Sequence, residues 1–154
     1  MRKLALAALV GIVSSPAHAH WQYTTWGMTP EQVIAASGGS LVPGDCATSA
    51  QDNSTKGAVG EFVAGDYRSS ASFWFKPSGL STVSLALRSA PQCMSLQRDL
   101  LAKYGEPVEQ SGASVQRRMW ADRDNDNRVT FINTGLSYCE LQYAPLVSAS
   151  ASAL

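Results

Sequence analysis

Phe73-Trp74-Phe75-Lys76-Pro77-Ser78-Gly79-Leu80-Ser81-Thr82-Val83-Ser84-Leu85-Ala86-Leu87 is the stretch on which the fold turns. Apolar residues alternate with polar or small ones on either side of Gly79-Leu80-Ser81, the mark of two antiparallel strands with one buried face. The arrangement returns without a gap at Val129-Thr130-Phe131-Ile132-Asn133-Thr134-Gly135-Leu136-Ser137-Tyr138-Cys139-Glu140-Leu141-Gln142-Tyr143, an offset of 56 residues. Upstream, Phe62–Asp66 and Arg118–Asp122 fall into register too, so each copy reads as three short antiparallel strands.

A helix precedes each strand set. In the first copy Thr29 is an N-cap with Pro30 at N1 and Gln32 completing a capping box; Val33 and Ile34 face inward, and Gly38-Gly39 stop the helix. In the second, Ser95 caps Leu96 to Tyr104, Gly105 ends the helix, and Pro107 blocks its continuation. The expected class is α+β: two αβββ repeats, about 26–88 and 93–145, forming one antiparallel sheet with both helices packed on one face. A loop over 41–55, rich in Gly, Ser, Asp and Asn, interrupts the first copy. That length points to a mobile or functional segment.

Residues 1–19 read as a signal peptide. Arg2 and Lys3 precede an uncharged apolar run from Leu4 to Val13, Pro16 breaks it, and Ala17-His18-Ala19 offers small residues around a cleavage point. The run is about half of the roughly 20 residues that a membrane-spanning helix needs. The expectation is an exported protein, periplasmic or secreted, cleaved near Ala19-His20 and not inserted in a membrane. Residues 20–146 then form a single domain, and the small, repetitive 147–154 a disordered tail. The whole chain has 12 basic and 12 acidic residues; losing Arg2 and Lys3 leaves 10 against 12, a charge of −2. So even a balance argues against nucleic acid or an anionic membrane as partner.

Gly27-Met28-Thr29-Pro30-Glu31-Gln32-Val33, followed by Gly38, resembles the start of a periplasmic module. That module occurs in the small lipoproteins of the outer-membrane assembly machine and, in tandem, in β-lactamase inhibitor proteins. Met94-Ser95, Leu100 and Tyr104-Gly105-Glu106-Pro107 look like a second, looser copy. The resemblance implies helices packed on an antiparallel sheet and a role in binding other proteins. No lipidated cysteine follows the cleavage point, so outer-membrane assembly is not implied.

Three cysteines, Cys46, Cys93 and Cys139, leave three pairings open in an oxidising compartment. The repeat favours Cys93–Cys139, because Cys139 matches Val83 on the inner face and Cys93 lies just before a helix packed there. His20 is the one imidazole left after cleavage, so a Ser–His or Cys–His site lacks a dependable base. Asp122, Asp124 and Asp126 are spaced like the start of a calcium loop, but Asn127 stands where its glycine belongs and Asn133 where its bidentate Glu belongs. Glu61, Asp66 and Glu140 are further carboxylates for acid–base work. No cofactor is implied.

Outward-facing residues carry more. If Phe73, Phe75, Val83, Leu85 and Leu87 face the helices, Trp74 faces away, as do Tyr138, Glu140 and Gln142, and Trp120 joins them if its register holds. Two alternatives stand: these residues form an exposed protein-binding face, or the 41–55 loop or Trp21 and Trp26 cover them as a second core. The reading is a non-enzymatic binding module whose partner is another envelope protein or polymer. A small carboxylate-dependent hydrolase and a calcium-binding structural protein are the alternatives.

Overall fold

Thr29 begins the ordered helical chain in the way its sequence requires. In the computed structural model, which describes residues 21–135 and 137–146, its hydroxyl accepts from the Gln32 amide while the Gln32 side chain accepts from the Thr29 amide. The expected signal peptide over 1–19 and tail over 147–154, together with His20, lie outside the described residues. The elements run α1 (Pro30–Ala36), β1 (Leu41–Pro43), β2 (Thr55–Ala64), β3 (Tyr67–Lys76), β4 (Gly79–Leu87), α2 (Ala90–Tyr104), β5 (Glu109–Ser111), β6 (Gln116–Asp122), β7 (Asn127–Asn133) and β8 (Cys139–Pro145). The fold is α+β. One eight-stranded antiparallel sheet has the order β1-β2-β3-β4-β8-β7-β6-β5, so two four-stranded meanders meet at β4 and β8.

One face of this sheet is the core. Ala58, Phe73, Val83, Leu85, Leu87, Val129, Phe131, Cys139 and Leu141 are all buried there, joined by Val33 of α1 and by Cys93, Leu96 and Leu100 of α2. Both helices therefore cover the same face. Trp21 joins this core, packing on Phe62 (5.1 Å between ring centroids), Phe73 (5.6 Å) and Tyr143 (6.2 Å). No helix among the described residues is long and apolar enough to cross a membrane.

The Cys93–Cys139 pair is disulfide-bonded, with Cα atoms 5.8 Å apart, and ties α2 to β8. It closes a separation of 46 residues, which on a chain-entropy basis stabilises the fold by about 4 kcal/mol. Such a bridge fits an oxidising, exported location. Cys46 is free and exposed.

Four expectations need correction. Each half has four strands, not three, because Leu41–Pro43 within the 41–55 loop pairs with β2, and Glu109–Ser111 pairs with β6. Helix α2 begins at Ala90 rather than beside Ser95: Pro91 sits in its first turn, where the absent N–H costs nothing, and Cys93 lies inside it. The gapless match does not carry into the hairpins. Phe73 faces Val83, so Val129 should face Cys139, but it faces Tyr143, four residues along. A two-residue turn closes β3–β4 whereas residues 134–138 connect β7 to β8, and that difference shifts the register. Finally, Trp120 pairs with Val129 and so points to the helix face, 2% exposed, with its indole N–H donated to the Gly105 carbonyl at 2.9 Å.

Candidate functional site

The second face of the sheet carries no helix. Strand alternation sends Trp74, Thr82, Gln142 and Arg128 to it, together with Glu140, Ile132 and Arg117. Small residues such as Ser72, Ser84, Ala86 and Thr130 lie among them at neighbouring register positions. The result is a trough of about 550 Å³, crossing β3, β4, β8, β7 and β6 and walled on one side by Ser49, Gln51, Asp52 and Ser54. Five strands at about 4.8 Å spacing give it a length of roughly 20 Å.

The wall is a hydrogen-bonded structure, built on the end of β2. The Lys56 amide donates to the Ala47 carbonyl, the Cys46 amide to the Lys56 carbonyl, and the Ser49 amide to the Ser54 carbonyl. Asp52 accepts from the Ser54 hydroxyl (2.7 Å) and amide (3.2 Å) and pairs with Lys76 at 3.3 Å. Burial opposes its ionisation, but the Ser54, Ser49 and Lys76 contacts outweigh that and hold its carboxyl at about 2.

Inside the trough the side chains differ in how fully they are engaged. The Trp74 indole N–H donates to the Ser84 hydroxyl at 3.1 Å, and the Lys56 ammonium lies 5.4 Å from its ring centre. The ring is partly exposed, neither free nor covered. Glu140 accepts from the Tyr138 hydroxyl (2.6 Å) and the Gln142 amide (2.8 Å), so its carboxylate is already satisfied. Burial, and then this contact with Glu140, pushes the Tyr138 phenol up to about 12; Arg88 sits over its ring at 5.7 Å. Arg128 is the exception. Its Nε is buried with no hydrogen-bond partner, and neither Arg128 nor Arg117 forms an ion pair among the described residues.

Of the residues singled out from sequence, Trp74, Glu140 and Gln142 line this trough, Tyr138 adjoins it through its hydrogen bond to Glu140, and Trp120 is on the opposite face. The sequence pattern alone does not single out Arg128 and Arg117 as site residues. Period two is the signal that finds Arg128, since its neighbour Val129 is an inward residue, but its place beside the acidic turn masks it as a local counter-charge. That turn is self-contained: Asp122 accepts from the Asn125 amide and side chain and from the Tyr104 hydroxyl. Among the described residues no three acidic, histidine or cysteine groups are placed to share a metal ion. Glu61 on β2, Asp66 in the β2–β3 turn and Asp122 on the helix side are separated from Glu140 by intervening strands or by the sheet itself. No family model, no curated protein and no solved structure matches the chain.

Proposed function

We propose that the protein is an exported, non-catalytic binding module that holds another envelope protein or polymer against the uncovered face of its sheet. The observation that carries this reading is Arg128, a cation with a buried, unpaired donor at the floor of a long trough beside a partly exposed Trp74. A guanidinium cannot shed its proton, so an external acceptor is what relieves that unpaired N–H. Arg and Trp are also the residue types that dominate binding energy in protein interfaces. Export is supported by residues 1–19 and by the Cys93–Cys139 bridge. Two helix-plus-four-strand halves meeting at β4 and β8 support descent from a duplicated unit, in line with the resemblance at Gly27-Met28-Thr29.

The experiment is capture from envelope extract by wild type, Trp74→Ala and Arg128→Ala, with melting temperatures measured in parallel. A partner retained by wild type and lost by both folded variants supports the reading. Capture indifferent to both substitutions places recognition elsewhere. A panel of ester, peptide and glycoside substrates tests the non-catalytic part, since turnover abolished by one substitution at Asp122, Asp124 or Asp126 would favour an enzyme.

A further inference from the structure

The helix side of the sheet is not completely filled. Between α2 and the strands lies a cleft of about 200 Å³. Leu96 and Leu100 of α2 form one wall, Leu85 and Leu87 of β4 with Leu141 of β8 line the floor, and Phe62 of β2 lies opposite. Protein interiors are close-packed, and an unfilled apolar space of this size forfeits contacts that a well-packed core would make. Apolar cavities near 150 Å³ accept benzene, so by proportion this one takes roughly eight carbon atoms.

The mouth of the cleft has a sign. Asp99 accepts from the Tyr67 hydroxyl and pairs with Arg98 at 3.4 Å, so its charge is offset locally. Lys103, one helical turn further along α2, lines the same mouth and makes no ion pair among the described residues; its ammonium lies over the Tyr104 ring at 4.7 Å. An apolar slot with a cation outside any ion pair at its opening suits a molecule with an apolar tail and an anionic head. We propose that this cleft is a binding site for a free carboxylate with an acyl chain of about eight carbons, its tail against Leu85, Leu100 and Leu141 and its head beside Lys103. The site lies on the opposite face from the trough and does not depend on it.

The probe is sodium octanoate, titrated into the disulfide-bonded protein while the leucine methyl resonances are followed. Saturable shifts at Leu85, Leu100 and Leu141 are expected. Butyrate, four methylenes shorter, should bind on the order of a hundredfold more weakly. Lys103→Gln should weaken octanoate about threefold at low salt and leave octan-1-ol unchanged. Ala64→Trp, at the exposed rim, should block both ligands without touching the core. The proposal is overturned if the leucine methyls do not shift saturably, if butyrate binds as well as octanoate, or if Lys103→Gln leaves octanoate binding unchanged.

Discussion

Trp74 and Trp120 are the same residue type on opposite faces of one sheet, and truncating each has a different consequence. Trp120 is buried at 2% exposure and holds the carbonyl that follows α2, so Trp120→Ala leaves a large cavity and an orphaned acceptor. A loss of about 3–5 kcal/mol is expected in urea unfolding. Trp74 is partly exposed and contributes one hydrogen bond to Ser84, so Trp74→Ala should cost below about 1.5 kcal/mol. The side of Trp74 is legible in the sequence because it lies between Phe73 and Phe75, whose burial fixes the alternation. Trp120 has Met119 and Ala121 beside it, and that apolar run does not reveal which side faces in. A second residue-scale outcome concerns Asp52. Its carboxyl is depressed from 3.8 to about 2 in the fold, so its contribution to the wall is complete above pH 3.8 and is lost as pH falls through about 2. Hydrogen exchange corrected for intrinsic rate should show the Ser54 amide losing protection in that interval, earlier than the core strands. Protection unchanged down to pH 2 would mean that Asp52 does not hold the wall.

At the scale of elements, α2 depends on two attachments: the leucines on its inner side and the bridge from Cys93 to Cys139 on β8. Reduction under native conditions, or the double substitution Cys93→Ser with Cys139→Ser, should lower stability by about 4 kcal/mol. Because that figure comes from the entropy of the unfolded chain, α2 and β7 amides should lose protection equally, and faster exchange confined to α2 would show that the bridge also holds the helix in the folded state. The pairing is legible in the sequence because two facts converge, an inward position for Cys139 and a cysteine close to a helix. The repeat behind that inference is less faithful. Gly79-Leu80-Ser81 and Gly135-Leu136-Ser137 look equivalent in sequence, yet Gly79 has a second duty. Its φ is 102°, and a Cβ there would come within 2.2 Å of the Gly27 carbonyl oxygen. Gly27 and Met28 bond to Leu80 at 3.0 and 2.8 Å, so this glycine admits the N-terminal segment as well as turning the hairpin. Local spacing registers the turn and is silent about the neighbour. For the same reason β1 and β5 escape a reading by pattern: three-residue edge strands carry no period, and their strand character comes from the partner strand alone.

Across the whole molecule, the two meanders share one core rather than owning two. The seam pairs Val83 with Tyr143, Leu85 with Leu141 and Leu87 with Cys139, and all six side chains belong to or pack against a single apolar cluster. Trp21 crosses that seam, touching Phe62 and Phe73 of the first half and Tyr143 of the second. The Trp26 indole N–H also reaches the Asn127 side chain of the second half at 3.2 Å. Neither half buries its inner face without the other, so unfolding should be a single cooperative transition, with near- and far-ultraviolet circular dichroism superimposing. Trp21→Ala tests the coupling directly. Removing an indole that is 6% exposed should cost about 3–5 kcal/mol, and the loss should appear in both halves at once. Native-state hydrogen exchange gives the measurement, with β2–β3 amides reporting on one meander and β7–β8 amides on the other. Equal falls in protection free energy mean one cooperative unit. If β7–β8 keep wild-type protection while β2–β3 lose theirs, the meanders are separate folding units, and the trough that crosses all of β3, β4, β8, β7 and β6 would not be held as one surface.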